Sequence, residues 1–323
     1  MVHLCFRVIF ALALAATCSH VSGHLNSIKS PVPDWKLVWS DEFEGKTIDR
    51  TKWDYDTGNG FFNYDANQWI SGWGNGELQY YTREPENAFV KDGMLHIRAL
   101  KESYNGSGYT SARLKTRGRD GSSLFSQKYG RFEFRAKLAT GRGVWSALWM
   151  LPLEEKYGIW ASSGEIDVAE TRGHEPTKVV GTLHYGSRWP LNTNTGKDYN
   201  LPAGQSITGF HIYAVEWEPG EIRWYVDDQL YSTQTFWWSS SKVNGTNAVK
   251  PAGESDLNTW PAPFDHPFYI VINLAIGGAF GGNPDKTTTF PAEMIVDYVR
   301  AYEKTGGYGA PKARGQGKLP FGP

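Results

Sequence analysis

Cysteine is nearly missing from this chain. Its 323 residues hold two, Cys5 and Cys18, and both sit in the N-terminal apolar segment. The remainder therefore has no disulfide framework, no thiol nucleophile and no cysteine-based zinc cluster. A dominant charge is missing too: 33 Lys and Arg stand against 34 Asp and Glu, a formal net charge of −1. That near-neutrality excludes a basic field for nucleic acid, and no charge run marks a membrane surface. Long hydrophobic runs are absent apart from Val8–Ala16, too short to span a bilayer. No long stretch repeats its apolar residues at helical spacing, and no internal repeat is visible.

The first 23 residues read as a secretory signal: Arg7 in a short n-region, the apolar Val8–Ala16, then Val21-Ser22-Gly23 as a small-residue cleavage site. A lipoprotein reading at Cys18 is disfavoured because Thr17 is bulky for the preceding position. Loss of this segment removes Arg7 and no acid, taking the net charge from −1 to −2. A secreted, extracellular, monomeric protein is expected, with residues 24–303 as one domain and 304–323 as a disordered tail rich in Gly, Lys and Pro. Asn105-Gly-Ser107 and Asn244-Gly-Thr246 are glycosylation acceptors if the host is eukaryotic.

What the chain has in quantity is aromatic side chains: 14 Trp, 17 Tyr and 16 Phe. Most suit a β-rich core, and some suit a cleft where flat rings stack on sugars. Leu95–Ala99 reads as a strand after the Asp92-Gly93 turn. Arg131–Leu138 alternates cleanly and reads as a half-exposed antiparallel strand. Val144–Leu151 is more apolar, with Trp145 and Trp149 on one face. His211–Trp217 and Glu221–Val226 flank Pro219-Gly220, a hairpin signal. Phe268–Leu274 and Met294–Tyr302 complete the set, while Trp237-Trp238 and Asn258–Phe264 read as loop, bordering a cleft or packing. Many strands with Gly/Pro turns and no alternating helices predict an all-β sandwich.

The chemistry concentrates in Gly164–Glu170. Glu165, Asp167 and Glu170 alternate with apolar Ile166, Val168 and Ala169, as a strand with one buried face would have them. A regular strand would turn Glu170 away from Glu165, five positions earlier. A β-bulge near Val168–Ala169 would return it to the acidic face. Crowded carboxylates raise one another's pKa, so one acid can be ionised while another keeps its proton. Such a pair suits acid/base work on a glycosidic bond. An acidic strand edge or a metal-ligand cluster would show the same spacing.

This motif, preceded by Gly143-Val-Trp145-Ser-Ala-Leu-Trp149-Met-Leu-Pro152, resembles glycoside hydrolase family 16. Its spacing is that of the bulged branch, which holds laminarinases, agarases and carrageenases. Gly74–Thr82, Ser111–Leu114, His184-Tyr185-Gly186 and Pro267–Gly278 are similar to the laminarinase (endo-1,3-β-glucanase) group. The likeness runs from about Trp35 to Tyr302. It implies a β-jelly roll of two curved antiparallel sheets around a concave cleft. It also implies endo-hydrolysis of a β-1,3-glucan polysaccharide with retention. Glu165 would be the nucleophile, Glu170 the general acid/base, and Asp167 the residue that orients Glu165. Trp145 and Trp149 would stack on sugars, and Asn75, Arg113 and His184 would bind them. No cofactor is implied for catalysis. A structural calcium is implied, held by Glu42, the Gly93 carbonyl and Asp297. Three residues depart from the family pattern: Ser146 for Pro, Gly76 for Asn, and Phe280 where Trp-Pro often follows Gly-Gly. Cleavage of mixed-linkage glucan or of a galactan such as agarose is the alternative activity. A non-catalytic glucan-recognition protein is the alternative class, disfavoured because all three acids are present.

Overall fold

The computed structural model describes residues 34–321. The expected signal segment and its cleavage site lie outside them. Two antiparallel sheets make up the domain. One has eight strands, in the spatial order Gln229–Gln234, Glu221–Val226, His211–Glu218, Gly130–Lys137, Ala292–Lys304, Met94–Ala99 and Ala88–Lys91, with Trp35–Asp41 also paired to Ala292–Lys304. The other has seven: Asn192–Asn200, Lys178–Gly186, Glu165–Arg172, Val144–Pro152, Phe268–Ile276, Arg113–Lys115 and Asp54–Asp56. Strands distant in sequence lie side by side in both sheets, as a jelly roll requires. The expected all-β sandwich is what forms, and the strands read from the sequence fall where alternation put them. The turn between Glu218 and Glu221 is the two-residue Pro219-Gly220 hairpin.

The inward faces interdigitate. Phe132, Phe134, Trp217, Ile222 and Trp224 meet Val144, Leu148, Ile166, Val168, Leu183, Ile270 and Ile272, all fully or almost fully buried. Trp237 and Trp238 also pack inward, so of their two readings the structure selects packing.

Two expectations need correction. Arg131–Leu138 is half-exposed only at Arg135 and Lys137; Arg131 and Glu133, on the same face, are buried. Their strand lies mid-sheet, between His211–Glu218 and Ala292–Lys304. Arg131 is ion-paired to Glu133 at 2.9 Å, Glu216 at 3.2 Å and Asp228 at 3.1 Å, and the Tyr298 hydroxyl donates to Glu133. Its own strand, the neighbouring His211–Glu218 strand and the turn at Asp228 supply the opposite charges, so the polar face closes over itself.

The second correction is the tail. Lys312 N–H donates to the Pro219 carbonyl, Gly315 N–H to that of Thr235, and the Trp260 indole to that of Lys312. Arg314 lies over the Trp260 ring, and Leu319 packs against the core. Composition suggested disorder, yet small residues are what such close docking needs. A Cβ on Gly317 would lie 2.2 Å from the Phe236 ring.

Candidate active site

The Glu165–Arg172 strand is bulged where alternation demanded it. Across one neighbour Leu148 opposes Ala169 and Trp149 opposes Asp167, leaving Val168 as the extra residue. Across the other, Asp167 opposes Thr182 and Glu170 opposes Val180. Val168 and Ala169 are both buried in the core, and Glu170 returns to the face of Glu165 and Asp167. A tryptophan of the opposite sheet braces this point: Trp224 Nε1 donates to the Asp167 carbonyl at 2.8 Å. It comes so close because residue 181 is glycine; a Cβ there would lie 2.4 Å from the Trp224 ring.

Each acid has its own partner. Trp160 Nε1 donates to Glu165 at 2.8 Å, and Trp145 Nε1 donates to Glu170 at 3.0 Å. His184 Nε2 lies 3.4 Å from Asp167 and 3.9 Å from Glu165. Burial first, then the charge of Asp167, raises the Glu165 carboxyl above its ordinary value. Burial and the charges of Asp167 and Glu165 push Glu170 well above. Burial alone would lower His184, but Asp167 and the two glutamates outweigh it and raise it to about 10. Of the two glutamates, Glu165 is the one paired with the imidazolium, at 3.9 Å, so Glu165 is the acid favoured to ionise and Glu170 the one favoured to stay protonated. Glu165, Asp167 and His184 have the proximity of metal ligands. A protonated His184 already supplies a positive charge there and has no lone pair to offer on Nε2.

Beside the acids the open face continues over Val144–Pro152 and Phe268–Ile276. Trp145 and Trp149 both lie on it, half-buried. Trp149 Nε1 donates to Asn273 Oδ1 at 2.7 Å; Asn273 Nδ2 donates to the Tyr81 hydroxyl, which donates to Glu77. Glu77 also accepts from Gln79 at 2.6 Å and from Asn75 at 3.0 Å. Arg113 is ion-paired to Asp56 at 3.0 Å and lies between two tryptophans, its guanidinium carbon 4.7 Å from the Trp73 ring and 4.7 Å from the Trp149 ring. The structure thus brings Asn75, Arg113 and Trp149 into one assembly, and His184, Trp145 and the three acids into another beside it. Sequence reasoning missed Trp160, Trp73, Tyr81, Glu77 and Asn273. The Gly74–Thr82 and Pro267–Gly278 blocks contained the last three, but gave no sign that they join.

The departures find local explanations. Ser146 is buried, and its hydroxyl accepts the Ala139 N–H. Gly76 has φ +72°, a left-handed conformation suited to glycine. Phe280 packs its ring 5.0 Å from Trp145 and under the Arg172 guanidinium.

Asp297 lies at a break along one edge of Ala292–Lys304, where the pairing passes from Trp35–Asp41 to Met94–Ala99, and Glu42 and Gly93 flank the ends of those two strands. Their carboxylates are already taken. Glu42 accepts two guanidinium bonds from Arg300, and Asp297 is ion-paired to Arg135. As they stand, both carboxylates are held by arginines rather than free for a cation.

A jelly roll with paired, unequally perturbed glutamates on an aromatic-lined open face defines a polysaccharide hydrolase. Comparison with known proteins agrees. The model of Glycosyl hydrolases family 16 matches residues 75–252, and the chain belongs to that family. It is similar to glucan endo-1,3-beta-glucosidase A1 of Niallia circulans, 44% identical over 83% of this chain, though it spans only 38% of that relative's length. It is equally similar, at 44%, to a beta-glucanase of Rhodothermus marinus, over 92% of this chain and 94% of that one. The X-ray structure of the Rhodothermus marinus laminarinase superposes with a TM-score of 0.67 at 46% identity, covering 83% of this chain and 97% of the other.

Proposed function

We propose that the protein is a secreted endo-1,3-β-glucanase that cleaves laminarin-like polysaccharide by retaining double displacement. The observation that supports it most is the bulge, which sets Glu165, Asp167 and Glu170 on one face, close enough that Asp167 raises both glutamate carboxyls. In the first step the Glu165 carboxylate attacks the anomeric carbon as Glu170 gives its proton to the departing glycosidic oxygen. A covalent glycosyl ester forms and the leaving chain departs as an alcohol. In the second step Glu170, now a carboxylate, takes a proton from water. The resulting hydroxide attacks the same carbon, and Glu165 leaves as a carboxylate. The His184 imidazolium, held against Asp167, balances the Glu165 charge, and the Trp160 indole bond fixes that carboxylate in place. Trp145 and Trp149 supply stacking surfaces, with Asn75 and Arg113 as hydrogen-bond donors further along the cleft.

The reading is tested by incubating the protein with laminarin, lichenan, agarose and cellulose and following fresh products by NMR. Cleavage of laminarin with the β-anomer appearing first is expected. Cleavage confined to agarose would move the protein to a galactan, and an α-anomer first would remove the double displacement. A structural calcium would need Glu42 and Asp297 to give up their arginines; melting with and without calcium and chelator tests it.

A further inference from the structure

Between the Asp54–Asp56 strand and Glu77 the chain forms a separate hairpin, Gly60–Asn63 against Gln68–Ser71. A lone two-stranded hairpin is marginal in water, and this one is held at both ends. At its base Phe61 pairs across to Ile70, and its ring lies 6.3 Å from Trp73. At its tip Asp65 is ion-paired at 2.9 Å to Arg188, which also donates to the Thr246 carbonyl. The next residue, Trp189, donates its N–H to the carbonyl of Trp160, the residue that touches Glu165. The hairpin is thus tied to the cleft at two places, beside Trp73 and beside the Trp160 loop.

Its other face carries three partly exposed rings. Phe62 and Trp69 stand opposite each other across the hairpin, 39% and 48% exposed. Tyr64 meets Phe62 edge-on at 5.0 Å and is 85% exposed. Folding gains nothing from the parts of these rings left in water, which is most of Tyr64 and close to half of Trp69. The side chains among them are amides, Asn63, Asn67 and Gln68, and the Asp65 charge is answered by Arg188. A neutral face of flat rings and amides suits neither phosphate nor an anionic membrane, which need cations. It suits a neutral sugar chain, whose C–H faces stack on rings and whose hydroxyls bond to amides.

We propose that this hairpin is a second glucan-binding platform outside the catalytic cleft. It would take a stretch of the same polysaccharide beyond the sugars held near Trp149. The inference rests on the glucanase reading. Position also supports it: Trp149, Arg113, Trp73 and Phe61 form a series of contacts from the cleft to the back of the hairpin, so the Phe62–Trp69 face stands beside the cleft rather than in it. Because both ends are fastened, the platform is formed before the chain arrives, and little order has to be imposed on binding.

The test compares wild type with Phe62→Ala/Trp69→Ala, and with Tyr64→Ala as a milder variant at the most exposed ring. KM on long laminarin should rise roughly tenfold in the double variant, while kcat/KM on a β-1,3-linked tetrasaccharide stays as it was. Retardation in native gels containing laminarin should weaken in parallel. Unchanged KM and retardation would overturn the proposal. So would equal losses on polymer and tetrasaccharide, which would place the rings in the cleft, or a wild-type dimer that the double variant dissolves. If wild type cleaves no β-1,3-glucan, the functional reading fails instead, and retardation in gels of each polysaccharide still decides whether these rings bind one.

Discussion

Trp224 donates its indole N–H to the main-chain carbonyl of Asp167 at 2.8 Å, from the sheet opposite the acids. The bulge explains why the bond exists: an extra residue disrupts the ladder there, and a buried carbonyl without a partner is costly. A core tryptophan therefore holds the bend that sets the catalytic face. Trp224→Phe keeps most of the packing and loses the bond. A stability loss of about 1–3 kcal/mol is expected, together with a fall in kcat on short and long substrates alike. Thermal melts and kinetics well below the melting temperature measure both. Full activity there would mean the bulge holds without Trp224.

The pH profile reports the carboxylates. Asp167 raises Glu165 and Glu170 alike, so Asp167→Asn should let both lose their protons more easily. Both limbs of the kcat/KM bell should move to lower pH. His184, raised to about 10 largely through Asp167, should titrate lower as well. A basic limb that stays put or rises would leave Asp167 a positioning role only.

Trp145→Phe should do the opposite to Glu170. The indole bond favours the ionised form of that carboxyl, so its loss should move the basic limb to higher pH. Trp149→Ala should instead raise KM and leave the limbs in place, because Trp149 bonds to Asn273 rather than to an acid. A profile shift with Trp149→Ala, or none with Trp145→Phe, would contradict these assignments.

Arg131 makes a stability prediction. Arg131→Ala leaves the buried Glu133 with only the Tyr298 hydroxyl, while Glu216 keeps Arg223; the uncompensated charge should cost about 3–5 kcal/mol. Unfolding in denaturant measures it; a loss under ~1 kcal/mol would mean that water reaches these groups.

How legible all this was in the sequence follows from the range of each interaction. Glu165, Asp167 and Glu170 lie within six residues, and alternation with Ile166, Val168 and Ala169 was enough to place both strand and bulge. The Trp224–Asp167 bond joins residues 57 positions apart, and Trp149–Asn273 joins residues 124 apart. Local spacing holds no record of either. The burial of Arg131 escaped because alternation tells which face a side chain takes but not what covers that face. The tail escaped because its Gly and Pro, which speak for disorder, are also what lets it lie against Thr235 and Phe236. Sugar-binding positions came from the family resemblance, and the network joining them came from the fold.

In the proposed mechanism Glu165 attacks the sugar while Glu170 handles the proton. The most direct test adds azide to Glu165→Ala and determines the anomeric configuration of any glycosyl azide formed from an activated β-glucoside of a β-1,3-glucan oligosaccharide. With the nucleophile gone, azide should occupy the vacated space and give the inverted α-glycosyl azide. A retained β-azide from this variant would mean that a nucleophile survives the loss of Glu165, and would contradict the assignment.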